Sequence, residues 1–74
     1  MTPHAQQTKA WFDRELTRMG WKIKSSQMIP DPITGWDSPW YRVQTTSDNY
    51  AEGHDAAAVH RQLQDNEAYA ERYA

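Results

Sequence analysis

A scarcity of aliphatic side chains is the feature that most constrains the fold of this chain. Its 74 residues include two Leu, three Ile, two Val and one Phe, against four Trp and four Tyr. So few aliphatics would be typical of disorder if the net charge were high and the aromatics few. The formal net charge is only −2, and each aromatic ring can bury roughly 150–250 Å². We therefore expect one small domain, residues 1–74, whose core is built largely from rings.

The composition also narrows the chemistry and the cellular setting. There is no cysteine, which excludes disulfides and thiolate metal sites and fits a reducing compartment. No segment approaches the roughly 20 apolar residues of a membrane span, and Met1–Met19 lacks the apolar run of a secretory signal. We expect a soluble cytoplasmic protein that uses no cofactor and does not contact a membrane.

The N-terminal quarter of the chain carries the signals of a helix. Thr2-Pro3 is a typical helix start, because Thr caps the first N–H groups and Pro has none to lose there. Phe12 and Leu16 recur at helical spacing on one stripe. Gly20 suits the position just beyond a helix end. The sequence therefore predicts a helix from about Pro3 to Met19.

Two strands are predicted next. Trp21–Ser25 alternates apolar and polar residues, which indicates a half-buried strand. We expect it to end before Pro30, since proline cannot donate to a ladder. Trp40–Thr45 is aromatic and β-branched, and its odd-numbered residues are expected to face the core. An extra short strand near Ile33-Thr34 is compatible with the sequence.

The turn-rich stretch Thr46–Asp55 leads to a second helix. Asp55 suits its N-cap, and the helical stripe continues to about Gln64 and on towards Tyr73. Helix, strand, strand and helix predict a small two-layer α+β domain of α-β-β-α order. In it, two helices cover an antiparallel hairpin or a three-stranded sheet. The other face and the edges of this sheet are left open, which leaves room for a homodimer through the strands or through the aromatic loop between them.

The stretch Ile29–Tyr41, IPDPITGWDSPWY, combines three prolines with three aromatic rings. Prolines stiffen a connection, and we expect Trp36 and Trp40 to project from this one with Asp37 beside them. Rigid Trp and Tyr are frequent at protein–protein hot spots, and pre-organisation lowers the entropic cost of binding. The predicted partner-binding residues are Trp36, Trp40, Asp37 and Tyr41. The structural alternative is that Trp36 folds back to form a small core.

The outer face of the hairpin is a second candidate surface. It is expected to carry Lys22, Lys24, Arg42 and Trp40. Rings interleaved with cations hold single-stranded nucleic acids by stacking and by backbone charge, although an ordinary solvated strand face gives the same pattern. The segment from residue 46 onward is acidic, with two arginines against six carboxylates, a net of −4. Such a helix face can dock on a basic partner.

Recognisable catalytic frames are absent from the sequence. The three histidines are not spaced for metal chelation, no nucleophile-elbow or P-loop pattern occurs, and so small a domain has little volume for a substrate pocket. His60 is the best candidate for a general base. We expect a non-enzymatic protein-binding module, with nucleic-acid binding as the alternative. Its short, cysteine-free, aromatic-rich character resembles accessory proteins of phages and mobile elements that act as inhibitors or adaptors.

Overall fold

Two helices and three strands form two layers in the computed structural model, which describes residues 8–73, with side chains to residue 72. The elements are α1 (Lys9–Arg18), β1 (Ile23–Asp31), β2 (Gly35–Thr45), β3 (Tyr50–Gly53) and α2 (Ala56–Tyr73). The strands make one antiparallel sheet in the order β1-β2-β3. Helix α1 lies over β1, and α2 lies over β3. The predicted α+β architecture is confirmed, and its sheet has three strands.

The core lies between the helices and one face of the sheet. Phe12 of α1 stacks on Tyr41 of β2, with ring centroids 4.6 Å apart. Two of the four tryptophans, Trp11 and Trp21, pack against the core while half-buried. The aromatic share of the core is therefore smaller than the composition predicts. The buried residues of the core are Phe12, Leu16, Tyr41, Val43, Ala51, Ala56, Val59 and Leu63.

Helix α1 is shorter than the predicted helix but ends as expected. Thr8 is its N-cap, and its Oγ1 accepts a hydrogen bond from the Trp11 N–H. The backbone of Thr8 is extended, so no helix runs through this residue. The predicted start at Thr2-Pro3 lies outside the described residues. At the C-terminus, Gly20 has φ +102°, and the Trp21 N–H donates to the Leu16 carbonyl at 3.1 Å. The positive φ of Gly20 and the hydrogen bond from Trp21 identify a Schellman motif, in which N–H groups beyond the helix end satisfy carbonyls of its last turn.

The β1–β2 hairpin is longer than predicted. The sequence places the end of the first strand before Pro30 and the start of the second at Trp40, but β1 reaches Asp31 and β2 begins at Gly35. Pro30 is tolerated because β1 is an edge strand and the register shifts between Ile29 and Asp31. Most of the stretch Ile29–Tyr41, which the sequence predicts to be a stiff connection, is therefore strand, and a three-residue turn closes the hairpin.

The third strand is β3, inside the segment predicted to be an irregular connection. The extra strand that the sequence allows near Ile33-Thr34 does not form, since these residues lie in the turn of the hairpin. The connection before β3 turns at Asp48, whose φ is +63°, and the Thr45 N–H donates to the Asn49 carbonyl. Strand β3 has only four residues, and three of them are Ala, Glu and Gly, which have low strand propensity. The sequence alone therefore gives little indication of this strand.

Side chains of α2 cover the free edge of β3. The Gln62 amide donates to the Glu52 carbonyl at 2.8 Å and accepts from the Glu52 N–H at 3.4 Å. One helical turn further on, Asn66 Nδ2 donates to the Tyr50 carbonyl at 2.8 Å. These amides occupy backbone groups that an incoming strand would otherwise pair with. Helix α2 begins at the predicted cap, because Asp55 Oδ1 accepts from the Ala57 N–H.

Candidate functional site

The turn between β1 and β2 is held by the carboxylate of Asp31. Its Oδ1 accepts from the Ile33 N–H at 2.7 Å and from the Thr34 N–H at 3.1 Å. These backbone hydrogen bonds hold the pKa of Asp31 below its ordinary value of 3.8. Gly35 completes the turn at φ +66°, a conformation that costs glycine little. The turn is therefore fixed by its own hydrogen bonds.

This turn presents two large apolar side chains to solvent. Ile33 is 93% exposed and Trp36 is 59% exposed, and Asp37 beside them is also exposed. We call the residues from Pro32 to Asp37 the hairpin tip. Trp36 does not fold back into a small core. Ile33 and Trp36 are therefore large apolar side chains that the fold of the described residues leaves open to solvent.

A cluster of polar and aromatic side chains occupies the sheet face opposite the helices. Trp40 and Arg42 project there from β2, and Tyr50 and Glu52 project from β3. Glu52 Oε1 accepts from the Trp40 indole N–H at 3.0 Å. The other carboxylate oxygen, Oε2, accepts from the Tyr50 hydroxyl and lies 3.8 Å from Arg42 Nε. We call these four residues the outer cluster.

Glu52 orders this cluster. The hydrogen bond from Tyr50, with support from Trp40 and the charge of Arg42, holds the pKa of Glu52 below its ordinary value. The same carboxylate raises the pKa of Tyr50. Glu52 is therefore ionised and Tyr50 protonated at neutral pH, so the acceptor and the donor are both in place. The arrangement fixes the Trp40 ring rather than leaving it free to rotate.

His54 connects the hairpin to the end of β3. Its Nε2 lies 3.1 Å from Asp31 Oδ2, and its Nδ1 lies 3.1 Å from the Pro39 carbonyl oxygen. The ring also packs edge-on against Trp40, with centroids 4.7 Å apart. Pro39 is buried in the central strand, beyond the last residue pair between β2 and β3. His54 thus contacts Pro39 at a point on the central strand where the backbone of β3 is no longer paired with β2.

The predicted partner-binding residues are divided among three environments. Trp36 and Asp37 are exposed at the hairpin tip, as the prediction requires. Trp40 is half-buried in the outer cluster. Tyr41 is fully buried, because its odd position places it on the inner face with Val43, against Phe12. Its burial removes it from the predicted surface and assigns it to the core.

The predicted nucleic-acid-binding residues are not brought together as one basic patch. Arg42 faces Glu52, and Lys24 Nζ lies 3.3 Å from Asp48 Oδ1. Lys22 precedes β1, where its carbonyl accepts from the Thr46 N–H. In the register of the hairpin, Gln27 rather than a lysine lies opposite Arg42. Only Arg42 and Trp40 share the outer cluster.

Histidine and metal chemistry receive little support from the geometry. His60 Nδ1 accepts from the Trp21 indole N–H at 2.8 Å, so one ring nitrogen of the candidate base is already engaged. Within residues 8–73, no group of three or more His, Asp or Glu side chains is placed to hold a metal ion. Neither helix of that part of the chain is long and apolar enough to cross a membrane.

Three residues of the hairpin tip and its surroundings are not among the predicted site residues. The sequence places Ile33 in a possible strand, and Glu52 and His54 in a connection. The signal for Glu52 is its spacing of two from Tyr50, which puts both on one face of a short strand.

Comparison with protein-family models, curated proteins and solved structures finds no match.

Proposed function

We propose that this chain is a non-enzymatic protein-binding module that inserts its hairpin tip into an apolar pocket of another protein. The observation that carries this proposal is the exposure of Ile33 and Trp36 on a turn fixed by Asp31. A Trp placed in a partner's pocket is the commonest type of hot spot. Because the turn is already ordered, little conformational entropy is lost when it binds.

The charges around the tip describe the partner further. Asp31 and Asp37 lie on either side of the apolar pair, and neither Lys nor Arg occurs between residues 25 and 41. A pocket with a basic rim would complement this pattern. A narrow projection that enters a pocket fits an inhibitor that occupies a functional cleft, or an adaptor that bridges two proteins. The acidic residues of α2 lie on a separate surface and would add a second contact with a basic partner.

The proposal is tested by crosslinking at the tip. A photoreactive phenylalanine analogue is placed at position 33 in the full chain, and the same analogue is placed at position 69 on α2 as a matched control. After irradiation in the source cells, a partner of the tip should be captured from position 33 and not from position 69. Equal capture from both positions would contradict binding through the tip.

The identified partner is then titrated with purified variants. Trp36→Ala should weaken binding by at least about 30-fold, the loss typical of a hot-spot residue, with an unchanged melting temperature. Tyr69→Ala, which removes a ring of similar exposure elsewhere, should bind like the parent chain. If Trp36→Ala binds its partner as tightly as the parent chain does, the proposal fails.

Nucleic-acid binding through Trp40 and Arg42 is the second candidate. It is supported by the exposed Tyr50 beside them, since rings on an open sheet face can stack on bases. It is opposed by Glu52, which neutralises Arg42 in the outer cluster. Titration with single-stranded oligonucleotides decides: a nucleic-acid site gives salt-sensitive quenching of Trp fluorescence, stronger in Glu52→Gln. No quenching in either protein would remove this candidate.

A further inference from the structure

His54 is positioned so that both of its ring nitrogens face hydrogen-bond acceptors. The Pro39 carbonyl can only accept, and Asp31 is an acceptor whenever it is ionised. Backbone hydrogen bonds to Asp31 favour its ionised form. A neutral imidazole has one N–H and can satisfy only one of the two contacts, whereas an imidazolium satisfies both. The geometry therefore fits the protonated ring.

We propose that His54 is a protonation-dependent clamp that holds the β1–β2 hairpin against the end of β3. This inference concerns the chain itself and does not require a partner. When the imidazole is protonated, it donates to Asp31 and to Pro39 at once. When the imidazole loses a proton, the lone pair of one ring nitrogen faces an acceptor, and that nitrogen no longer makes a hydrogen bond. The hairpin then retains its turn but loses a contact at its base.

The groups that contact His54 are hydrogen-bond acceptors and an aromatic ring. From β1 it faces the carboxylate of Asp31, and from β2 it faces the Pro39 carbonyl and the Trp40 ring. A protonated ring 4.7 Å from the Trp40 centroid lies within the range of a cation–π contact. On its own segment the nearest charged groups are Glu52 and Asp55, which are both acidic. No cation among these contacts opposes protonation.

The sign of the effect follows from the two partners. The clamp is complete where Asp31 is ionised and His54 is protonated. It is lost as the pH rises and His54 loses its proton, and it is lost again in strong acid as Asp31 gains one. Because one carboxylate fixes the turn through Oδ1 and meets His54 through Oδ2, loss of the clamp should be sensed by the amides of the turn.

Nuclear magnetic resonance of the ¹⁵N-labelled full chain tests the clamp between pH 5 and pH 8.5. At pH 5, both His54 ring nitrogens should carry protons. As the pH rises, the amide shifts of Ile33 and Trp36 should change with the same midpoint as the His54 ring.

Three variants separate the clamp from general effects of pH. Asp31→Asn keeps an oxygen to accept from Ile33 and Thr34, but its N–H can donate to the neutral ring of His54, so the midpoint of the response at the tip should move to lower pH. His54→Gln should abolish the response, and His60→Gln should leave it unchanged. Tip resonances that stay constant with pH in the parent chain would overturn the proposal. A response that persists in His54→Gln or keeps its midpoint in Asp31→Asn would do the same.

Discussion

The phenol hydroxyl of Tyr41 donates a hydrogen bond to the carboxylate of Asp13, and this contact joins the central strand β2 to α1. Burial, together with the hydrogen bond to Asp13, raises the pKa of Tyr41 well above its ordinary value of 10.0. The phenol therefore remains a donor throughout the neutral range. The same ring stacks on Phe12, so one side chain supplies both core packing and a polar link between the layers.

Removing this hydroxyl should destabilise the fold without disturbing the core. Tyr41→Phe keeps the stacked ring but deprives Asp13 of a donor, and the free energy of unfolding should fall by about 1–2 kcal/mol. Urea denaturation followed by Trp fluorescence measures the loss. Gln64→Ala, at an exposed position on α2, is the control and should stay within about 0.5 kcal/mol of the parent chain. Equal stability of the two variants would contradict the proposed role of the hydroxyl.

Stability should decline in acid, and Asp13 should account for part of that decline. Burial alone would raise the pKa of Asp13, but hydrogen bonds from Tyr41, Lys9 and Ser26 hold it below its ordinary value of 3.8. A carboxyl with a depressed pKa in the folded state stabilises the fold above its unfolded pKa. It loses that contribution as the pH falls through the folded value. Urea unfolding between pH 6 and pH 2 should show the decline, with a smaller slope in Tyr41→Phe. An identical slope would contradict the assignment.

The edge of β3 should depend on Gln62. Its amide makes two hydrogen bonds to the backbone of Glu52, and both would be lost in Gln62→Ala. Because water can replace them at an exposed edge, we expect a loss of about 1 kcal/mol rather than the sum of two buried bonds. Gln64→Ala is a matched control on the same helix and should be neutral or slightly stabilising, since Ala is the best helix former. Thermal denaturation of both variants compares them directly, and a Gln62→Ala melting temperature equal to that of Gln64→Ala would count against the capping role.

The other edge of the sheet, β1, carries features that oppose pairing with another strand. Lys24 lies at a register shift, and Pro30 lies at a second one. Lysine, proline and bulges are the devices that protect edge strands. The homodimer that open edges allow in principle is therefore not expected through β1, and the parent chain should behave as a monomer.

Removing both devices should expose the edge. Lys24→Val/Pro30→Val should associate with itself in a concentration-dependent way, detectable as a rising mass in size-exclusion chromatography with light scattering. Arg61→Val/Gln64→Val adds comparable apolar surface to the exposed side of α2 and should not associate through strand pairing. Stable dimers of the parent chain itself would show that the edge is not protected.

Signals confined to a few neighbouring residues predicted the structure well. Gly20 ends α1, and Asp55 begins α2, because each sets the backbone hydrogen bonds of its own helix end. The burial of Val43 followed from alternation along a strand. These features depend on local geometry, which the order of residues specifies.

Features that depend on partners distant in the sequence were missed. Pro30 and Pro39 suggested a loop, yet each lies where the ladder is already irregular, and no local pattern shows that. Strand β3 is held by β2 and by amides of α2, rather than by its own propensity. The roles of Glu52 and His54 arise only because the sheet brings them beside Trp40.

The hairpin tip contains none of the buried residues that form the core. Substitutions at Ile33, Trp36 or Asp37 therefore leave the packing of the two layers intact. If the tip binds a partner as proposed, changes that alter recognition and changes that alter folding fall on different residues. Descendants of this chain could then acquire new partners through the tip while the domain beneath it keeps its stability.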